Sequence, residues 1–176
     1  SEEAIGEHIA HRRKEYFLAS KCGCPLETQP MSGNGWSTSG ETHILTRKRL
    51  VDGVDQSLKR MKTDYLDLVQ FHHGPPAQEL QEAQAIETLL ELKQQGKVRF
   101  IGSSSTLPNL LDHIGMGVFD AFQIPYSALQ REHGEAISLA AKAGSGTIIR
   151  GGVARGEAHW NARNDVVAWQ NWDRAN

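Results

Sequence analysis

The feature that most constrains this chain is a regular alternation of short apolar runs with longer amphipathic segments. Leu50, Val54, Leu58 and Met61 recur at helical spacing, which predicts a helix from Lys48 to Lys62. The run Leu66 to His72 follows and reads as a strand. Ile86, Leu89, Leu90 and Leu92 predict the next helix, with Gly96 as its stop. Val98 to Ser103 reads as a strand, and Thr106 as the N-cap of a helix bearing Leu107, Leu110, Leu111 and Ile114. Asp120 to Tyr126, Glu135 to Ala143 (stopped by Gly144) and Thr147 to Gly151 continue the pattern as strand, helix, strand. Upstream, Glu2 to His11 reads as a helix and Tyr16 to Lys21 as a strand.

Strands alternating with helices predict a parallel sheet with helices packed on it. About five strands are visible, and their continuous apolar character fits strands buried on both faces. No repeat and no linker divides the 176 residues, so residues 1–176 read as one domain. The stretch from Cys22 to about Thr42 is too long and polar for an ordinary connector and reads as a functional or mobile loop. The tail from Glu157 to Asn176, with Trp160, Trp169 and Trp172, reads as a loop entering a helix.

Composition excludes several classes. The formal net charge is −2, which supplies no electrostatic attraction to nucleic acid or an anionic membrane. No apolar run approaches the ~18–20 residues that span a bilayer. Two cysteines do not make a disulfide scaffold, and with no visible signal peptide the expected compartment is the cytoplasm. Cys22-Gly23-Cys24 lacks the further cysteines of a zinc motif, so no metal ligand is assigned; two buried or idle thiols are the expectation. Arg12-Arg13-Lys14 is explained by helix-dipole compensation and solubility, without a partner.

The polar residues sit where chemistry would need them. Each strand is apolar until its C-terminal end, where Lys21, His72, Ser104, Gln123 and Arg150 appear in turn. The C-terminal ends of parallel strands form the ligand face in open α/β sheets and in (β/α)8 barrels alike. Strand parity puts Gln70 and His72 on one face and Phe71 and His73 on the other, so the two histidines cannot both reach one metal from a regular strand. Gly151 and Gly152, leading to Arg155 and Gly156, are placed for close backbone approach to a phosphate or ribose. They fall short of a dinucleotide fingerprint.

Five segments together resemble the aldo-keto reductase family. Ser1 to Gly6 is similar to the start of the helix after its second strand, and Phe17 to Lys21 to its third strand with the catalytic lysine. Ser57 to His72 is the most specific match and ends in the catalytic histidine. Gly96 to Ser104 resembles the fifth strand, and Phe122 to Ser127 the sixth. The resemblance implies a (β/α)8 TIM-barrel fold, here a partial barrel, and reduction of a small aldehyde or ketone by NADPH without a metal. It implies Lys21 and His72 as catalytic residues. It implies Ser104, Ser105 and Gln123 as holding the nicotinamide carboxamide, and Arg150, Gly151, Gly152, Arg155 and Gly156 as lying beside the nicotinamide and pyrophosphate.

The chain also departs from the pattern. Ser105 stands where the family usually has Asn, and Arg150 where many members stack an aromatic on the nicotinamide. The family's proton-donating tyrosine and its aspartate would lie upstream of Ser1, and Tyr16, Tyr65 and Tyr126 do not take the tyrosine's place. A full barrel takes ~250 residues, so the resemblance implies a central portion truncated at both ends, inactive or weak alone. The alternative is a non-catalytic partial barrel that covers its open sheet edges by self-association or with a partner.

Overall fold

The structure is a computed structural model and describes residues 2–24 and 43–152. Five strands form one sheet: β1 (Ala19–Cys22), β2 (Leu66–Phe71), β3 (Val98–Ser104), β4 (Ala121–Pro125) and β5 (Gly146–Arg150). The helices are α1 (Glu2–His8), α2 (Arg47–Met61), α3 (Ala77–Glu82), α4 (Ala85–Gln94), α5 (Asn109–Met116) and α6 (Gly134–Lys142). Every neighbouring pair is parallel, and the spatial order is β1-β2-β3-β4-β5, identical to chain order. An open doubly wound sheet reverses its strand order at a switch point. This sheet does not, and its winding is that of five consecutive units of a (β/α)8 barrel. No helix of the described residues is long and apolar enough to cross a membrane.

Register sorts the side chains onto two faces. Cys22, Phe71, Ser103 and Phe122 lie side by side, as do Ser20, Val69 and Ile101 two residues earlier. These positions face the helices. Val69, Phe71, Ile101 and Phe122 join one apolar core with Leu50, Val54 and Met61 of α2, Leu89 and Leu92 of α4, and Leu110 of α5. Ser20 Oγ donates to Glu2 of α1, and Ser103 Oγ meets Nδ1 of His113 on α5. The alternate positions, from Ala19, Leu68 and Phe100 through Lys21, Gln70 and Gly102, form the opposite face.

Several expectations are corrected. The first helix stops at His8, and a 3-10 segment, Ala10–Glu15, follows with non-helical backbone at Arg12. Arg13 is not idle: its guanidinium donates to Thr63 Oγ1, to the Tyr16 and Tyr65 carbonyls and to Asp67, with a 2.7 Å ion pair to the last. The first strand begins at Ala19 rather than Tyr16, because the Leu18 N–H is taken by the Asp67 carboxylate instead of a ladder partner. Thr106 does not cap its helix with its side chain; α5 begins at Asn109 with Pro108 in the N-cap position. A residue before proline is disfavoured in the helical region, which keeps Leu107 out of the helix.

Among the described strands, burial on both faces along the whole length is confined to β2. β2 is buried throughout, whereas β5 is exposed at four of its five positions and β1 at two of four. Each has only one neighbour among the described strands. The expected loop from Cys22 to Thr42, past Cys24, and the tail from Glu157 lie outside the described residues.

Glycine serves one close approach and two helix ends. A Cβ on Gly6 would sit 2.1 Å from the Arg60 carbonyl oxygen, so α1 rests directly on the backbone of α2. Gly96 and Gly144 follow α4 and α6 with φ of 77° and 81°, the left-handed conformation that ends a helix.

Candidate active site

The polar strand ends converge by register. Lys21 on β1 pairs with Gln70 on β2, and one layer further Ser104 on β3 pairs with Gln123 on β4. Arg150 on β5 pairs with Pro125, two residues beyond Gln123. Alternation therefore sends Lys21, Gln70, Ser104, Gln123 and Arg150 out on the face away from the helices. This is the barrel-interior side, at the C-terminal ends of the strands.

Gln70 belongs to this group although the sequence assigned it no role. Its signal was its parity with His72 inside an otherwise apolar run. It is 3% exposed, and Gly102 makes room for it: a Cβ there would lie 3.2 Å from Gln70 Cγ and 2.5 Å from the Ala121 carbonyl oxygen. The side-chain oxygens of Gln70 and Gln123 are buried and have no hydrogen-bond partner among the described residues. A buried acceptor without a donor is costly, so each marks a place where a ligand N–H would be stabilising.

His72 follows β2 directly and is half-buried. Its pKa is pushed down to about 4, first by burial, then by the neighbouring His73, Lys21, His43 and Arg150. The imidazole is therefore neutral at neutral pH, with one nitrogen able to donate and one to accept. The same electrostatic contributions place Lys21 and Arg150 around it.

The loops beside His72 hold groups that sequence parity could not bring together. The strand ends at Phe71, so alternation no longer separates the two histidines, and the His72 and His73 rings lie 4.6 Å apart. Cys24 Sγ is 2.7 Å from His72 Nδ1 and 3.9 Å from His43 Nε2. Cys22, two residues earlier, points to the helix side, where burial raises its thiol pKa and its Sγ donates to the Gln70 carbonyl at 3.5 Å. Ser104 and Ser105 are both buried; Ser105 packs on Gly74, whose missing Cβ would be 1.9 Å from Ser105 Oγ. Gly151 takes a φ of 68°, Gly152 follows it, and Arg155 and Gly156 lie outside the described residues.

A model of the aldo/keto reductase family matches residues 1–171. The chain belongs to that family. Among its relatives, an uncharacterized oxidoreductase of Bacillus subtilis, YqkF, is 31% identical over 89% of this chain and 48% of its own length. Aldo-keto reductase YhdN of the same organism is 31% identical over 89% of this chain and 45% of its own. The solved holo form of aldo-keto reductase AKR11C1 from Bacillus halodurans superposes with a TM-score of 0.75 at 30% identity, covering 88% of this chain and 49% of that one. The chain thus spans about half the length of the reductases it matches. Its five-stranded sheet corresponds to part of an aldo/keto reductase barrel.

Proposed function

We propose that the protein carrying this chain reduces the carbonyl group of a small aldehyde or ketone at the expense of a nicotinamide cofactor, with NADPH as the expected form. The observation that carries the reading is the buried, unpartnered Gln123 Oε1 beside Ser104 on the interior face. An acceptor next to a hydroxyl suits a carboxamide, which offers an N–H₂ and a carbonyl oxygen. The cofactor, when bound, supplies the hydride.

The chain's own residues have distinct tasks. Ser104, Ser105 and Gln123 hold the carboxamide and so fix which face of the ring meets the substrate; the Ser105 N–H donates to the Gln123 carbonyl at 3.2 Å, which ties the two strand ends together. His72 offers an imidazole N–H to the substrate oxygen. Lys21 supplies positive charge where that oxygen becomes negative, and a preformed charge at such a point is worth most in a site shielded from water. Arg150, Gly151 and Gly152, with Arg155 and Gly156 further on, flank the nicotinamide and pyrophosphate. The tyrosine expected from the family to deliver the proton would lie upstream of Ser1.

The test uses the longest form the reading frame encodes, assayed for oxidation of NADPH and of NADH with a panel of small aldehydes. Turnover that collapses in Lys21→Met and His72→Ala supports the reading. Absence of turnover with either cofactor overturns it.

A further inference from the structure

Three side chains with metal-ligating atoms meet beside β1 and β2. Cys24 lies two residues past the end of β1, His43 four residues before α2, and His72 directly after β2. Cys24 Sγ and one ring nitrogen from each histidine all lie within 4.8 Å of one another, and all three residues are half-buried. We propose that Cys24, His43 and His72 form a binding site for a borderline-soft divalent cation, of which zinc is the best match.

The donor set decides the class of ion. One thiolate and two imidazoles suit zinc, whereas magnesium and calcium require oxygen ligands. With Zn–S of about 2.3 Å and Zn–N of about 2.0 Å, a tetrahedral centre holds sulfur and nitrogen about 3.5 Å apart. The Cys24–His43 separation of 3.9 Å is close to that. The Cys24–His72 separation of 2.7 Å must widen, which takes Sγ roughly 1 Å away from Nδ1. Three protein ligands leave a fourth position for water.

Charge balance limits the affinity. Lys21, Arg150 and His73 already act on His72 and oppose a further cation. Binding releases the Cys24 thiol proton to solvent, and the resulting thiolate offsets one unit of the ion's charge. The site is therefore weaker than a four-ligand structural zinc site. The inference stands on the three donors alone and does not require the reductase reading, although the ion would take Nδ1 of the imidazole assigned there.

The experiment is a titration of the reduced, chelator-stripped 176-residue chain with cobalt(II), which reports a sulfur ligand as a thiolate-to-cobalt charge-transfer band. One equivalent is expected to saturate the band, and zinc is expected to erase it by displacement. Cys22→Ser keeps the band and Cys24→Ser removes it. Changes to groups outside the coordination sphere already cost about 10–100-fold in affinity, so His43→Asn costs at least roughly tenfold. No band after excess cobalt, a band that persists in Cys24→Ser, or unchanged affinity in His43→Asn overturns the site. Should Cys24→Ser fail to fold by circular dichroism, the His43→Asn affinity decides alone.

Discussion

Gln123 lies in register with Ser104 on the neighbouring strand, and its buried side-chain oxygen has no hydrogen-bond donor among the described residues. The ladder fixes the spacing of the two side chains, and the open acceptor leaves room for a donor from a ligand. Replacing Gln123 by Leu removes the unsatisfied oxygen without breaking any side-chain bond that the oxygen makes. Thermal stability is expected to hold or rise, while NADPH affinity falls by the ~1–3 kcal/mol of an unmade buried hydrogen bond, about 5- to 150-fold. Fluorescence titration of NADPH beside a melting curve separates the two. Lost stability with unchanged affinity would make Gln123 structural.

The buried ion-pair cluster at Asp67 gives the second prediction. Asp67 accepts from the Leu18 N–H at 2.8 Å, Arg13 at 2.7 Å and Arg99 at 2.6 Å, and it is 2% exposed. Burial by itself raises its pKa, but the Leu18 N–H and the two guanidinium groups outweigh burial and hold it below the usual carboxylate range. Asp67→Asn leaves Arg13 without its counter-charge and is expected to cost about 3–5 kcal/mol. The sign of the pH effect follows from the lowered pKa. The stabilisation is complete above the unfolded value of about 3.9 and is lost as pH falls through the folded value. Urea unfolding at stepped pH should show an acid limb that flattens in Asp67→Asn.

How much of this was legible in the chain depends on the range of each interaction. The helix Arg47–Met61 was readable within one residue of each end, because Leu50, Val54 and Met61 repeat locally. The polar strand ends were readable for the same reason, since strand parity is local. Arg13 and Asp67 are 54 residues apart, and Cys24 and His72 are 48 apart. No periodicity links such positions; only the parallel register that lays β1 beside β2 does so. The exposure of β5 was not legible either, because its apolar Ile148 and Ile149 read like a central strand. Leu107 escaped for a local reason that was present in the chain, the proline after it.

His113 supplies a pH effect near neutrality. It is fully buried on α5; its Nε2–H donates to the Pro75 carbonyl at 2.8 Å, which leaves Nδ1 to accept from Ser103 Oγ at 3.0 Å. Burial lowers its pKa against the opposing pull of the Pro75 carbonyl and Asp112. Below about pH 6.5 the unfolded chain takes up a proton that the folded chain resists, so this group costs stability as pH falls from there to the folded value. Unfolding free energies measured from about pH 7.5 down to about pH 5.5 should decline, and His113→Leu should weaken that slope while lowering stability overall. An equal slope in the variant would assign the decline to other groups.

The contact between α1 and α2 gives the last prediction. Gly6 faces the Arg60 carbonyl, and an added methyl would sit 2.1 Å from its oxygen, with the Met61 Cα at 3.0 Å. Both obstacles are backbone, so neither can rotate away. In an open helix interior Gly→Ala stabilises by ~1 kcal/mol through propensity. Here overpacking of ~1–3 kcal/mol acts against that gain and exceeds it, because relief requires α1 to lift off α2. Lifting α1 also draws Glu2 from its 2.6 Å ion pair with Arg60 and from Ser20. Gly6→Ala is therefore expected to lower the denaturation midpoint, whereas Gly53→Ala on α2, with nothing within 4 Å of the new carbon, should raise it. Parallel denaturant curves of the two variants make the comparison, and a stabilised Gly6→Ala would show that α1 does not rest on α2 in solution.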